Sequence, residues 1–562
     1  MNRYYRFFFG LRKFLGERDS LVFSARVSSA TETIRQRLAA REETFLAILR
    51  QAVYGHPQSP YLDLLRRAGV EEGDVAAGVR KSGLEETLRV LRRAGVYTTI
   101  DEYKGKVDTV RGSARFHYTE RSFDNPFLSG AFSVRSGGTR GTGARVMIDF
   151  DYLVAMTAYN TILLDAFQGL SLPIASWFPV FPGAPGVNSC LRFARMGNIP
   201  ERWFSQVENS VRVDWRKRWG LAYIIRMSRL MGVPIPPPEF VDLNHGEVVA
   251  RWAHEAAERA GGCWVYTFVG SAVRACAAAT DLGLRLSGTR FLVTGEPLTA
   301  RKKAEIEATG ARALPVYGVS EAGTISGACG EPAHSDDCHM FRDAFAVIQH
   351  RRQLPLWGRE VDAFLFTSLL PQTPKILLNS ETGDYGVVEE RDCGCPLGRL
   401  GFTKHIHHIR SFEKMTGEGV SFVDTDLVRI LEERLPGAFG GRSTDYQLVE
   451  TEDEAGLTRL RLYVSPKLGP LDEDQIVSAF IAELKREGDS PQAWLDAGSE
   501  MWRQAGAVKV VREFPLTTRG GKIYPFFLKD GRQTSRYSDG ISGMQAAPLQ
   551  TELYHTAHGA RG

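Results

Sequence analysis

Between residues 247 and 317 the apolar positions switch repeatedly between two periods. Spacings of three and four predict helices over 247–260, 271–282 and 299–310, and short apolar runs predict strands over 263–269, 290–295 and 312–317. Such alternation predicts a parallel α/β sheet. The last two strands run into glycine and polar residues, at Thr294-Gly295-Glu296 and Tyr317-Gly318. In an open parallel sheet ligands settle beyond the carboxyl ends of the strands, so the stretch from Phe291 to Gly323 marks the floor of a site, with Tyr317 and Glu321 beside it.

The flanking patterns differ. A capped amphipathic helix covers 29–54, and helical spacing returns over 60–95. From Ala131 the order is a strand, a glycine- and hydroxyl-rich loop, the strand VMIDF, a helix from Tyr152 to Phe167, and a strand from Ala175 to Phe181. MGVPIPPPEF, 231–240, reads as a stiff extended connector. After Gly323 come the consecutive strands MFRDAFAVI, VDAFLFTSLL, KILLNS and YGVVEE, which predict an antiparallel or barrel-like appendage. From Arg410 to Leu528, helices at 425–434 and 472–486 alternate with the strands DYQLVE, TRLRLYV and VKVVREF, a small α+β unit. The expected class is α/β: a large N-terminal domain with a parallel sheet and a β-rich subdomain, then a small mobile α+β domain. The expected divisions are a helical region at 1–130, a core at 131–409, a small domain at 410–530 and a loosely held polar tail at 531–562.

Composition narrows the class. The 562 residues are too many for one core, and 43% hydrophobic with 24% charged residues is ordinary for a globular chain. Seventy basic against 66 acidic side chains leave a net +4, close to balance, which argues neither for nor against a polyanionic partner; no nucleic acid is among the expected partners. Seven cysteines, an odd number, do not resemble a secreted disulfide framework, and a cytoplasmic location is the expectation. The basic, aromatic N-terminus carries Arg3, Arg6, Arg12 and Lys13 through its apolar part, which argues against a signal peptide; a helix docked on its own domain is the expectation, with a helix resting on a membrane surface as the alternative. The charge-free run from Phe167 to Leu191 contains Pro173, Pro179, Pro182 and Pro185, so it predicts a buried strand and loop, with no transmembrane segment.

The loop Ser136-Gly137-Gly138-Thr139-Arg140-Gly141-Thr142-Gly143-Ala144-Arg145 offers free N–H groups, hydroxyls and two guanidiniums that can close on phosphate oxygens. It is not a Walker loop, since no Gly-Lys-Ser/Thr follows and it opens a strand; by itself it reads equally as a glycine-rich surface turn. GVSEAG misses the spacing of a hydrolase nucleophile elbow. Lys404-His405-Ile406-His407-His408 alternates with period two, so it reads as a strand with one polar face, and no metal is assigned to it. An apolar pocket for an aryl or alkyl guest is expected between the strands at 263–269 and 290–295, with Tyr266, Phe268, Gly270 and Ala272.

The glycine-rich loop, GEPLT, YGVSEAG, the Glu381-Thr382-Gly383-Asp384 turn and Arg519-Gly520-Gly521-Lys522 occur in a fixed order over roughly residues 130 to 528. In that order the chain resembles the adenylate-forming acyl- and aryl-CoA synthetases, most closely the phenylacetate-CoA ligase branch. The resemblance implies that Ser136, Gly137, Gly138, Thr139, Gly141, Thr142 and Arg145 hold ATP phosphates, with Gly295, Glu296, Val319 and Ser320 also at the nucleotide. It implies that Tyr317 lies on adenine with Gly318 admitting the base, and that Asp384 accepts from the ribose hydroxyls. Glu321 would ligate Mg²⁺, and Lys522 would meet the charge developing around the α-phosphorus. Arg410 would open the hinge between the domains. Three departures stand out: Arg140 where relatives carry Thr, Ala144 where they carry Lys with Arg145 one place on, and Phe412-Glu413 where two acids are common. Ser320 replaces Thr and keeps the hydroxyl. Cys329, His339, Cys393 and Cys395 stand where some relatives bind structural Zn²⁺, with His334 and Cys338 competing and unpaired buried cysteines as the alternative.

The expected activity is ATP- and Mg²⁺-dependent conversion of a carboxylic acid to an acyl-adenylate, then transfer to CoA as a thioester. The acceptor alternatives are a carrier-protein thiol, an amine or a protein cysteine. A non-catalytic nucleotide-binding relative is the other class, against which stand Lys522 and Glu321, both retained. The acid and the thiol acceptor are the expected partners, with homodimerisation left open.

Overall fold

The computed structural model describes residues 3–17, 23–128, 130, 132–135, 145–180, 185–207, 215–354, 359–411, 414–417, 420–423, 429–441, 445–452, 458–487, 502, 504–516 and 526–528. Two hairpins precede the main sheet, β1 (Thr109–Arg111) with β2 (Ala114–Phe116) and β3 (Phe132–Arg135) with β4 (Arg145–Ile148). Arg135 pairs with Arg145, so the glycine-rich loop is a hairpin connection; residues 136–144 themselves lie outside the described residues.

Six strands follow in parallel: β5 (Ile174–Trp177), β6 (Arg202–Ser205), β7 (Pro238–Phe240), β8 (Cys263–Phe268), β9 (Thr289–Thr294) and β10 (Arg312–Val319). Their spatial order is β10-β9-β8-β5-β6-β7. The helices Gly246–Ala260, Val269–Asp281 and Ala300–Ala308 connect them, within two residues of the predicted bounds at each end. β8 is buried along nearly its whole length because both faces are covered. Trp264 joins the apolar cluster that holds helix Phe150–Ala166, while Cys263 and Val265 join the cluster of the connecting helices.

The β-rich part is not a separate appendage or a barrel. β11 (Gly323–Ala328), β12 (Cys338–Met340), β13 (Phe345–Leu354), β14 (Arg359–Ser368), β15 (Ser380–Glu390) and β16 (Lys404–Ser411) continue the same sheet in the order β10-β11-β12-β16-β15-β14-β13, giving twelve strands. β10 joins the halves: 312–315 pairs parallel with β9, and 316–319 pairs antiparallel with β11. The expected strand end at Tyr317-Gly318 is a crossing point. A Cβ on Gly318 would lie 2.5 Å from the Gly323 carbonyl, so glycine is needed where the two strands approach, and the chain reverses only at 320–322.

Helix Pro185–Arg195 occupies part of the run expected as strand and loop. Pro185 is its first residue, where a missing N–H costs nothing. The N-terminal helix Arg3–Gly16 docks on the large core through Leu11, Phe14 and Leu15, with the Phe14 ring 5.3 Å from Phe150. After the hairpin β17 (Lys414–Gly417) and β18 (Val420–Val423), a second sheet forms from β19 (Tyr446–Glu452), β20 (Thr458–Val464), β21 (Val508–Val511) and β22 (Phe526–Leu528), in the order β21-β20-β19-β22, with helix Glu473–Glu487. It touches the large unit where Asn244 Nδ2 donates to the Gln504 carbonyl at 2.8 Å and Arg274 to that of Ala505 at 3.2 Å. Among the described residues no helix is long and apolar enough to cross a membrane.

Candidate active site

A cavity of about 130 Å³ opens beyond the carboxyl ends of β9 and β10. Its walls include Thr294, Gly295 and Glu296 after β9, Tyr317 and Gly318 on β10, Asp384 on β15 and Arg410 on β16. Glu450 on β19 brings the small sheet to the same rim. Tyr317, Gly318, Asp384 and Arg410, scattered over nearly a hundred positions, thus meet at one place.

Each wall residue has a local reason to be there. Gly295 has φ 83°, and a Cβ would lie 2.8 Å from the Phe268 ring, so only glycine allows the turn after β9. Tyr317 Oη donates to Asp384 Oδ2 at 2.9 Å. Burial, and then the Asp384 charge, hold the Tyr317 phenol well above its ordinary range, so it stays a donor. Arg410 lies 3.5 Å from the Asp336 carboxylate, which also lines the cavity. Asp336 and Cys338 are wall residues that sequence reasoning missed or placed elsewhere; their approach depends on the β12–β16 pairing, for which the chain gives no local signal.

Glu296, expected at the nucleotide, points its carboxylate inward as well as lining the cavity. Its side chain is 1% exposed, 3.7 Å from the equally buried Lys302, and accepts from the Gly270 N–H at 3.3 Å. Glu296 therefore fastens the end of β9 to the start of helix Val269–Asp281.

Glu321 sits half-buried in the β10–β11 turn. Its charge reaches the buried Lys375. Lys375 Nζ is bound to Asp124 Oδ1 at 2.6 Å, and Asp124 also pairs with Arg145 at the foot of the glycine-rich loop. Desolvation lowers the Lys375 pKa, and the bond to Asp124 opposes it. Sequence reasoning missed Asp124 and Lys375. Arg519 to Lys522 and Phe412-Glu413 lie outside the described residues.

The expected substrate pocket has a different setting. β8 and β9 are hydrogen-bonded neighbours, with Tyr266 opposite Leu292 and Phe268 opposite Thr294, so nothing enters between them. Tyr266 and Phe268 both meet the Phe178 ring edge-on at 4.8 Å, and Gly270 and Ala272 are buried in the helix that follows. The cavity instead lies beyond the strand ends, where Val269, Val293, Leu298, Val316 and Ile409 are among its apolar lining.

A second constellation lies behind β12. Cys329 Sγ is 3.7 Å from Cys393 Sγ, and His339 Nε2 is 3.0 Å from Cys395 Sγ and 3.5 Å from Cys393 Sγ. Ligands at about 2.3 Å for sulfur and 2.0–2.1 Å for nitrogen on a tetrahedral ion stand roughly 3.5–3.8 Å apart, so the donors fit a Zn²⁺ ion with little movement. His339 Nδ1 faces the Phe402 carbonyl at 2.5 Å, which leaves Nε2 to the metal. In the coupled thiol pair Cys395 is held below its usual range, by hydrogen bonding with Cys329 and then with His339, while Cys329 is pushed up. Cys338 projects the other way, towards the Pro315 carbonyl at 3.4 Å. His405 joins Cys329, His339 and Cys393, its Nδ1 held by Asp337 at 2.7 Å and its Nε2 without a partner among the described residues. That histidine, given no role from the sequence, is a fifth candidate ligand.

No protein-family model matches the chain, and no curated sequence does. Among solved structures, it is similar to 2-hydroxyisobutyryl-CoA ligase in complex with 2-HIB-AMP and CoA in the thioesterification state. The identity is 14%, over 90% of this chain and 93% of that one, with a TM-score of 0.54. The amide bond synthetase McbA from Marinactinospora thermotolerans matches at 15% identity over 74% of this chain and 70% of that one, with a TM-score of 0.37. The first of these likenesses shows the fold.

Proposed function

We propose that this chain, which has the fold of the adenylate-forming enzymes, uses ATP to activate a carboxylic acid as its acyl-adenylate and then passes the acyl group to a thiol, with CoA the first candidate. The observation that carries the reading is the Tyr317–Asp384 pair at the mouth of the cavity beyond β9 and β10. The Asp384 oxygens are acceptors for vicinal ribose hydroxyls, and the Tyr317 ring gives the base an apolar face.

The carboxylate of the acid attacks the α-phosphorus of ATP, and pyrophosphate leaves; no proton need move. The barrier is charge, because an anion approaches a polyanion. Arg145, at the base of the glycine-rich loop, and Lys522, assigned from sequence alone, are the cations for the leaving phosphates and for the reacting oxygens. Glu321, a half-buried carboxylate in the turn after Tyr317, fits a hard cation, and Mg²⁺ held there would neutralise phosphate charge. Arg410, on the strand leading to the small unit, is proposed to mark the hinge about which Lys522 withdraws before the thiol enters. Cys329, His339, Cys393 and Cys395 would hold a Zn²⁺ ion with a closed donor set, and so a structural one.

The test is pyrophosphate release over a panel of aryl, amino-aryl and fatty acids, each with and without CoA. Release that requires an acid supports adenylation, and a thioester product identifies the acceptor. A chain that binds ATP but releases no pyrophosphate with any acid would be a non-catalytic relative.

A further inference from the structure

We propose that His334, His407 and His408 form a second metal site, separate from the cysteine cluster, for a divalent cation of the zinc, cobalt or nickel class. The three rings pack together: His334 lies 4.1 Å from His407 and 4.6 Å from His408, and the latter two are 4.8 Å apart, centroid to centroid. Each offers a ring nitrogen, and the three nitrogens lie within 4.8 Å of one another. His407 is 3% exposed, and its Nε2 has no hydrogen-bond partner among the described residues; the nearest carboxylate oxygen, of Glu389, is 3.5 Å away.

A regular strand would send adjacent histidines to opposite faces. Here β16 carries an irregularity. Val387 faces His407 and Tyr385 faces Arg410, so two steps on β15 answer three on β16. His408 takes up the extra residue with φ 51°, a left-handed conformation that strains a residue with a side chain. Asp336 fixes the irregularity by accepting from the backbone N–H of both His408 and Ile409 at 3.0 Å. As a result His407 Nδ1 and His408 Nδ1 converge to 2.6 Å, with the His334 ring stacked on the first.

Three imidazoles suit cations of this class, and no thiolate is needed. Imidazole nitrogens on one tetrahedral ion at about 2.0–2.1 Å stand roughly 3.3 Å apart, so binding would open the 407–408 pair by some tenths of an ångström and draw His334 in. Three protein donors leave a fourth position to water. An ion there would fasten the loop that carries His334 to the strand that carries Arg410 at the cavity.

The test uses the full chain, loaded with excess Co²⁺, desalted, and assayed for bound metal and for the thiolate-to-cobalt absorption of the cysteine site. The comparison is wild type, His334→Gln/His408→Gln, Cys393→Ser/Cys395→Ser and the combined variant. The proposal expects the histidine variant to lose one ion in either cysteine background while the thiolate absorption is unchanged. Equal metal content with and without the two histidines would overturn it, as would loss of the thiolate absorption along with them. Since His408 sits in a strained position, His334→Gln alone is the second variant. It should weaken Co²⁺ binding in the cysteine-free background at least tenfold, and unchanged binding there would also overturn the site.

Discussion

Tyr317 donates its phenolic hydrogen to Asp384 across 2.9 Å, and this one bond ties the parallel half of the sheet, at the end of β10, to the antiparallel half, at β15. If the ribose hydroxyls bind Asp384, Asp384→Ala removes hydrogen bonds to a charged acceptor worth about 1.5–3 kcal/mol each. The expected result is an ATP KM raised about a hundredfold or more at saturating acid. Tyr317→Phe keeps the ring and should change the ATP KM less than tenfold, and Tyr317→Ala more. Steady-state pyrophosphate release measures all three.

Asp124→Ala should be among the most destabilising single changes in the large unit. Lys375 is fully buried, and removing its carboxylate leaves an ammonium hydrogen-bonded, among the described residues, only to the Glu120 carbonyl dipole, a loss on the order of 3–5 kcal/mol. Asp124→Leu combined with Lys375→Met should recover much of that loss. Urea unfolding of the two variants makes the comparison.

Asp343 gives a pH dependence whose sign is fixed. Burial raises its pKa to about 6, against the opposing hydrogen bond from Tyr159 at 2.6 Å. The folded chain therefore holds this proton more tightly than the unfolded one. The stability it lends is complete below about pH 4 and is lost as pH rises towards 6, a difference of roughly 3 kcal/mol. Asp343→Asn keeps an acceptor for Tyr159 without the charge. It should be more stable than wild type at pH 7 and lose that advantage at pH 4, as read by thermal unfolding at the two pH values.

Much of this architecture was legible in the chain. The two periods of apolar residues placed the helices and strands from 247 to 319 closely, since both signals are local. What failed was long-range. The pairing of β11 on β10 rests on Gly318 tolerating the Gly323 carbonyl, and a Tyr-Gly pair reads equally well as a strand end. The same limit hid Asp336 from the cavity and Lys375 from Asp124. The histidine run is a strand, as expected, but period two holds only up to His407 and fails at the extra residue His408, which no residue type announces. The three cysteines and His339 that the resemblance singled out do lie together behind β12, in a chain where they stand up to 66 positions apart.

Cys393→Ser/Cys395→Ser should lower the zinc content of the purified chain by one ion and lower its melting temperature. Equal zinc in variant and wild type would show that these thiols are not ligands.

Lys522→Ala should reduce acid-dependent pyrophosphate release by two orders of magnitude or more, the scale of losing a charge aimed at the transition state. Circular dichroism should be unchanged.

The account turns on the acyl-adenylate itself. The chain is to be incubated with ATP, Mg²⁺ and each acid of the panel without a thiol, and the products read by mass. The account predicts one or more acids joined to AMP, with pyrophosphate in equal amount and no such product from Asp384→Ala/Lys522→Ala. Tight ATP binding with no acid ever joined to AMP would contradict it.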